Sequence, residues 1–136
     1  MTQEDKELLL QDLCARLPFK VKISVNDKIE LLQGINILDN VVEYDSFLSS
    51  NIEEIKPYLF PLSSITKEQL FEIQEILGKN EIEIKEEFLS IIDSNRNTIS
   101  YSEILAVLEL FNKNHFDYRD LIEKGIAIDA TGLNIY

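Results

Sequence analysis

The side chains best suited to catalysis are few in this chain. His115 is the sole histidine and Cys14 the sole cysteine of the 136 residues, so metal sites and catalytic sites that need several such groups are excluded by count. Asp117 follows His115 by two positions, and side chains at that spacing point apart on a helix. We therefore expect no local His–Asp pair, and we expect His115 to end a helix and donate to a backbone carbonyl.

Residues 93–103 follow part of the pattern of an EF-hand calcium loop. Oxygen-bearing side chains occupy its positions 1, 3 and 5, namely Asp93, Asn95 and Asn97. The loop lacks the glycine of position 6, and Glu103 arrives one residue early, which turns the closing carboxylate by about 100° on its helix. Calcium binding by this degenerate loop is therefore an alternative, and a polar loop with Ser100 capping the next helix is the simpler interpretation.

Other candidate groups indicate surface rather than catalysis. A two-carboxylate hydrolase needs its acids desolvated in a cleft, whereas the acidic pairs here stand near lysines on polar faces: Glu53/Glu54, Glu86/Glu87 and Glu72/Glu75. The serine pairs 49–50 and 63–64 have no nearby base. The sequence therefore predicts no catalytic residue, no cofactor, no metal site and no enzyme.

Composition restricts the partners. The chain has 25 acidic and 13 basic residues, a formal net charge of −12 and a 45% apolar fraction, which fits one folded domain with an acidic surface. Such a surface disfavours binding to nucleic acid or to anionic membranes. No apolar run approaches the roughly 20 residues of a membrane span, and the polar N-terminus does not match a secretory signal. We expect a cytoplasmic protein.

The first half predicts a helix followed by a sheet. Thr2 can cap a helix over residues 1–17, in which Cys14 shares an apolar spacing with leucines and is expected to be buried (the leucines are Leu10, Leu13 and Leu17). Alternation then begins at Phe19, and Asn26-Asp27 is a turn pair, so residues 19–56 predict an antiparallel meander of about three strands. A bulge or a second turn is expected at Gly34, and a short fourth strand at 52–56.

Residues 57–65 predict a connector bracketed by two prolines. Because proline lacks an N–H group, Pro57-Tyr58-Leu59-Phe60-Pro61 is expected to stay out of any central strand. Its aromatic residues are expected either to pin a crossover to the core or to anchor a partner.

The remainder predicts a helical part over residues 66–125. Capping boxes open two of its helices, Thr66 with Gln69 and Ser100 with Glu103, and a final helix is expected from Asp117 to Lys124. Whether residues 79–92 form strand or helix stays open. The apolar tail 126–136 is expected to dock on its own domain or to reach another chain as an added strand.

These elements together predict a single α+β domain over residues 1–136. Its parts are an N-terminal helix, a small antiparallel three- to four-stranded sheet or partial barrel, and a C-terminal group of three to four helices.

Three blocks carry a resemblance. Residues 2–18, residues 56–64 (Lys-Pro-Tyr-Leu-Phe-Pro-Leu-Ser-Ser) and residues 115–127 resemble an uncharacterised family of small proteins from gut Bacteroidales genomes and their prophages. The resemblance implies a bacterial, cytoplasmic, mobile-element setting. It implies no activity and no site residues.

The function expected from the sequence is a non-enzymatic one. The tail or the aromatic connector would bind an unknown protein partner or a second copy of the chain. One alternative is an acidic decoy that mimics DNA for a DNA-binding protein, and the other is calcium binding at 93–103.

Overall fold

The computed structural model describes residues 1–45, 48–78, 81–85, 88–93 and 99–136. Helix α1 spans Gln3–Arg16 and begins with the predicted cap. The Thr2 hydroxyl accepts the N–H of Asp5 at 3.0 Å, and the Asp5 carboxylate accepts the N–H of Thr2. These bonds occupy N–H groups that the first helical turn leaves unpaired. A short 3-10 turn at Leu17–Phe19 then leads to the sheet.

A mixed sheet of seven strands forms the centre of the molecule. Its antiparallel part runs β4-β3-β2-β1-β5, with the strand bounds β1 Lys22–Val25, β2 Lys28–Asn36, β3 Val41–Tyr44, β4 Leu48–Asn51 and β5 Ile55–Pro61. Two short strands, β8 Phe116–Asp117 and β9 Ile128–Asp129, add to β5 in parallel. The predicted three- to four-stranded antiparallel sheet is therefore wrong, because the last third of the chain returns to the sheet.

The strand bounds also differ from the meander that the sequence predicts. Strand β2 runs through Gly34, where its register with β3 shifts, so a bulge and not a turn is found there. A Cβ at this glycine would stand 2.8 Å from the Glu43 carboxylate, the end of a flexible side chain that can move aside. The expected strand at 52–56 is instead a 3-10 turn, Ile52–Glu54, followed by the start of β5.

The prolines do not keep residues 57–61 out of the sheet, so that prediction is wrong. Asn26 and Asp27 form a two-residue turn between β1 and β2, and the residues that flank such a turn, Val25 and Lys28, are a hydrogen-bonded pair. By alternation along β1, Ile23 faces Pro57 as a pair without ladder hydrogen bonds. The missing N–H of Pro57 therefore costs the β1–β5 ladder nothing.

The predicted group of three to four C-terminal helices is also wrong. After residue 65 the described residues contain two helices, α2 Lys67–Ile76 and α3 Tyr101–Lys113, each opened by its predicted capping box. The helix expected over 117–124 is absent: Asp117 ends β8, and residues 118–124 form bends and turns. Asp120 has a positive φ of 57°, and the Asp117 carboxylate accepts the N–H groups of Leu121 and Ile122. Strands β6 Glu81–Lys85 and β7 Phe88–Asp93 pair as a separate antiparallel hairpin, so the described part of residues 79–92, which the sequence left open between strand and helix, is strand.

Two apolar clusters hold these elements together. The larger lies between α1 and the sheet and contains Leu9, Leu13, Ile23 and Leu59, all fully buried. The smaller joins α2 and α3 to β8 around Ile73 and Phe111. Within the described ranges, no helix has the length and apolarity that a membrane span requires.

Candidate functional site

A buried ionic cluster fastens α1 to the chain that follows α3. Asp12 and Arg16 are both fully buried, and the Arg16 Nε donates to Asp12 Oδ2 at 2.7 Å. The Arg16 Nη2 donates to the Phe116 carbonyl at 2.6 Å, which ties the helix to β8. Arg119 approaches the second oxygen of Asp12, with 3.4 Å between Nε and Oδ1. One carboxylate is therefore shared by two guanidinium groups.

The Tyr118 ring completes this cluster. The guanidinium carbons of Arg16 and Arg119 lie 5.2 and 5.1 Å from the ring centroid, within the range of cation–π attraction. The Tyr118 hydroxyl donates to Asn112 Oδ1 at 2.8 Å. Burial raises the pKa of Asp12, although the charges of Arg16 and Arg119 oppose that shift. Because its oxygens face these two cations, Asp12 serves as a structural clamp.

None of the motifs considered in the sequence predicts this cluster. The apolar spacing of Cys14 with the neighbouring leucines predicts that Cys14 lies on the buried face of α1. Cys14 is exposed, so that prediction is wrong. The buried face instead carries Leu9, Leu13 and the charged residues of the cluster. The available signal was the spacing of Asp12 and Arg16, since opposite charges four residues apart are neighbours on a helix.

His115 lies just after α3 in a left-handed conformation, with φ of 61°. Its side chain is 9% exposed, and its ring stacks on Tyr136 with centroids 3.8 Å apart. Burial, aided by the positive charges of Arg16 and Lys22, lowers the pKa of His115 to about 4, so the imidazole is neutral near pH 7. The Nδ1 atom is buried and has no hydrogen-bond partner among the described residues.

The sequence expectations for His115 are met in part. The residue lies near a helix end, directly after the C-cap Asn114 of α3, but the described residues show no donation from Nδ1 to a backbone carbonyl. Its own carbonyl instead accepts the N–H of Phe60 at 2.8 Å, which joins β8 to β5. Asp117 turns its carboxylate to the backbone N–H groups of residues 119, 121 and 122, so it makes no pair with His115.

The apolar tail lies on its own chain. The Ala130 N–H donates to the Leu59 carbonyl at 2.8 Å beside β9, and the Tyr136 hydroxyl donates to the Tyr58 carbonyl at 2.8 Å. The same hydroxyl accepts the N–H of Lys22 at 2.8 Å. Burial raises the pKa of the Tyr136 phenol to about 12, so the group remains a donor. These bonds occupy the tail and the β5 segment within the domain.

A different apolar surface is exposed at the turn between β2 and β3. Leu38 is 95% exposed and Ile37 is 63% exposed. The turn is held by side-chain bonds, since Asn36 Nδ2 donates to Asp39 Oδ2 at 2.9 Å and the Asp39 N–H donates to Asn36 Oδ1 at 3.2 Å. Two large apolar side chains are thus presented to solvent by an ordered turn.

A groove of about 550 Å³ lies between this turn and α1. It is lined by Glu7, Leu10, Gln11, Cys14, Ile37 and Arg119. We call this cavity the α1–turn groove. Its lining combines aliphatic side chains with the exposed thiol of Cys14, and Glu7 and Arg119 add one charge of each sign.

The remaining candidates take structural roles where the structure describes them. Residues 94–98 of the calcium hypothesis lie outside the described residues, and Glu103 joins Ser100 in the capping box of α3. The described ranges contain no group of three His, Cys, Asp or Glu side chains suited to a metal ion. Glu53 forms an ion pair with Lys6, which lowers the pKa of the Glu53 carboxyl. Glu54, Glu72 and Glu75 are exposed, and residues 86–87 also lie outside the described ranges.

The serine pairs take part in loop contacts. The Ser64 hydroxyl donates to the Pro61 carbonyl at 2.7 Å, and the Ser50 hydroxyl lies 2.9 Å from the Tyr44 hydroxyl. Neither contact provides the base that a serine nucleophile requires.

Comparison with known proteins identifies no relative of this chain. No protein-family model, curated protein or solved structure matches this chain.

Proposed function

We propose that this protein acts by binding another protein through the α1–turn groove and the Ile37–Leu38 turn beside it. The observation that carries the proposal is the 95% exposure of Leu38 on a turn fixed by its own hydrogen bonds. A large apolar side chain gains free energy when a partner removes it from water.

Order in the free protein favours such a contact. Because Asn36 and Asp39 already hold the turn, binding does not have to order its backbone, and a smaller entropic cost leaves more net affinity. The groove beside Ile37 offers space for an apolar side chain of the partner against Leu10. Leu38 can insert into a pocket of the partner, and the α1–turn groove can accept an apolar side chain from it.

Charge selects the class of partner. Two copies of a chain with a net charge of −12 repel each other, so a second copy is a poor occupant. A protein segment with apolar anchors flanked by Lys or Arg is attracted instead, and Asp39 and Glu7 stand at the turn and the groove wall to receive that charge. The proposed partner is therefore a basic, apolar-anchored protein segment.

The surfaces expected from the sequence are replaced in this proposal. Tyr58 and Leu59 are buried in the sheet and the tail is hydrogen-bonded to it, and the exposed apolar residues of the tail, Leu133 at 47% and Tyr136 at 43%, are less exposed than Leu38 at 95%. The acidic-decoy and calcium hypotheses, and the Bacteroidales family setting, stay predictions, because no contact described above favours them.

A displayed peptide library selected against the full-length protein tests the proposal. We expect enriched peptides to carry apolar residues flanked by Lys or Arg, and to bind the Leu38→Asp variant at least about tenfold more weakly than the wild type. Because Leu38 is almost fully exposed, this variant should unfold with a free energy within about 0.5 kcal/mol of the wild type.

Leu48→Asp provides the matched control. Leu48 is another exposed leucine, on the edge strand β4 and outside the α1–turn groove. Peptides that lose affinity equally for both variants, or that bind Leu38→Asp as tightly as the wild type, would contradict the proposed surface.

A further inference from the structure

An open cleft of about 460 Å³ lies where the end of β5, the start of α2, the end of α3 and the C-terminal tail meet. The residues that shape it include Phe60, Thr66, Gln69, Lys113, His115 and Tyr136. Its volume falls within the roughly 300–1,000 Å³ of small-molecule sites in proteins. None of the residues that line it belongs to the α1–turn groove.

The electrostatic character of this cleft differs from that of the whole chain. The described residues that line it include no aspartate and no glutamate, although the chain contains 25 such residues. They include Lys113, which is exposed and forms no ion pair with any acidic side chain of the described residues. The α2 helix also begins at the cleft, with Thr66 as its N-cap, so the positive end of the helix dipole lies at the cleft. The cleft therefore favours a negatively charged group.

Aromatic rings form another part of its wall. The Tyr136 ring lies 5.8 Å from the Phe60 ring and is stacked on His115. Its hydroxyl is held by Lys22 and Tyr58, so the ring is fixed before any ligand arrives. Because His115 stacks on the Tyr136 ring and Lys22 Nζ lies 5.7 Å from its centroid, a planar ligand ring would meet Phe60 and the edge of Tyr136, and tilted aromatic pairs of this kind are favourable.

The imidazole of His115 adds an unused polar group. It is more than nine-tenths buried, lines the cleft, and keeps an Nδ1 atom without a hydrogen-bond partner among the described residues. A buried polar atom without a partner is unusual in folded proteins and calls for an explanation, such as an ordered water or ion that completes its hydrogen bonding.

We propose that this cleft binds a small aromatic carboxylate, with the ring against Phe60 and Tyr136 and the carboxylate at Lys113. The two parts of the ligand match the two parts of the cleft: an aromatic wall, and Lys113 among described lining residues that carry no acidic side chain. This site is independent of the proposed protein-binding surface.

The single histidine makes the test direct. Because His115 is the sole histidine, its C2–H proton gives the one histidine C2–H resonance in the NMR spectrum of the full-length protein. We expect benzoate to shift this resonance saturably with a dissociation constant on the order of 1–10 mM, as befits a fragment-sized ligand. Benzamide has the same ring without the charge, and it should bind about fivefold more weakly, the size of one exposed ion pair.

Variants separate the parts of the proposal. Lys113→Gln should weaken benzoate binding by about fivefold and leave benzamide binding unchanged, whereas Lys124→Gln, an exposed lysine outside the cleft, should change neither. Leu38→Asp should bind benzoate like the wild type, so a failure of the protein-binding proposal would not affect this result. The absence of any saturable shift up to about 50 mM benzoate, or equal affinity for benzoate and benzamide, would overturn the inference.

Discussion

At the residue scale, one hydroxyl group takes the place of a missing ladder pair in the sheet. The β1–β5 register ends with Ile23 opposite Pro57, and the next pair would join Lys22 to Tyr58. The Tyr136 hydroxyl lies between these two residues, accepting the Lys22 N–H and donating to the Tyr58 carbonyl, both at 2.8 Å. Two backbone groups that would otherwise lack partners inside the fold are thus satisfied by a side chain.

Replacing this hydroxyl should therefore be costly. Tyr136→Phe keeps the ring and its stacking on His115 but leaves a backbone donor and a backbone acceptor unpaired, and we expect a loss of about 1–2 kcal/mol in the free energy of unfolding. Urea denaturation followed by circular dichroism measures this loss. Tyr101→Phe is the matched control, because Tyr101 is 89% exposed, and it should change the free energy by less than about 0.5 kcal/mol. Equal losses for both variants would contradict the bridging role.

At the scale of elements, local sequence accounts well for helix starts and for the first hairpin. Thr2, Thr66 and Ser100 each cap a helix through a residue three positions later, as their sequence contexts predict. The turn between β1 and β2 has both central residues in the left-handed region, with φ of 50° for Asn26 and 63° for Asp27. Such two-residue turns match the twist of the strands that they connect.

The second turn residue is therefore open to improvement. Asp27→Gly should raise the free energy of unfolding by about 0.5 kcal/mol, because glycine adopts a positive φ without steric cost and the Asn-Gly pair suits this turn type. Thermal and urea unfolding measure the gain. Asp27→Asn removes the same charge while keeping a side chain, so it separates conformation from electrostatics and should give a smaller gain. A loss of stability in Asp27→Gly would show that the turn is of another type.

At the scale of the whole molecule, a net charge of −12 on 15.7 kDa sets the balance of long-range forces. Compact folding brings like charges together, and their mutual repulsion reduces stability unless salt screens it. Attraction within ion pairs compensates for little of this repulsion. The ion pairs of the described residues are the buried Asp12 cluster and the Lys6–Glu53 contact at the surface. Stability should therefore respond to ionic strength.

Raising sodium chloride from about 0.01 M to about 0.15 M shortens the screening length from about 30 Å to about 8 Å. We expect the melting temperature to rise by a few degrees, corresponding to about 1 kcal/mol for a chain of this size. Differential scanning calorimetry gives the value, and choline chloride at equal ionic strength should act alike because screening does not depend on the identity of the cation. A melting temperature that falls with salt would mean that attractive ion pairs outweigh repulsion.

Tertiary structure decided what neighbouring residues in the sequence could not express. The strand character of residues 57–61 depends on β1, β8 and β9, and the last two lie more than 50 residues away along the chain. The two prolines of this segment argue against a strand when only the sequence is considered. The sequence does not show which N–H groups the neighbouring strands need as donors, and β1 needs no N–H at position 57. The prediction of a helix over residues 117–124 is wrong for a similar reason. The Asp117 carboxylate accepts N–H groups of this segment, and the apolar spacing of the sequence does not reveal that competition.

The candidate sites divide in the same way. By itself the sequence determined the acidic character of the surface, the capping boxes and the Asn26-Asp27 turn, because each depends on composition or on residues at most three positions apart. Only tertiary structure brought Arg16 to the Phe116 carbonyl, across 100 positions, and Tyr136 onto His115. The exposure of Leu38 and the two cavities likewise follow from packing, because burial is a property of the space around a side chain and not of its neighbours in sequence.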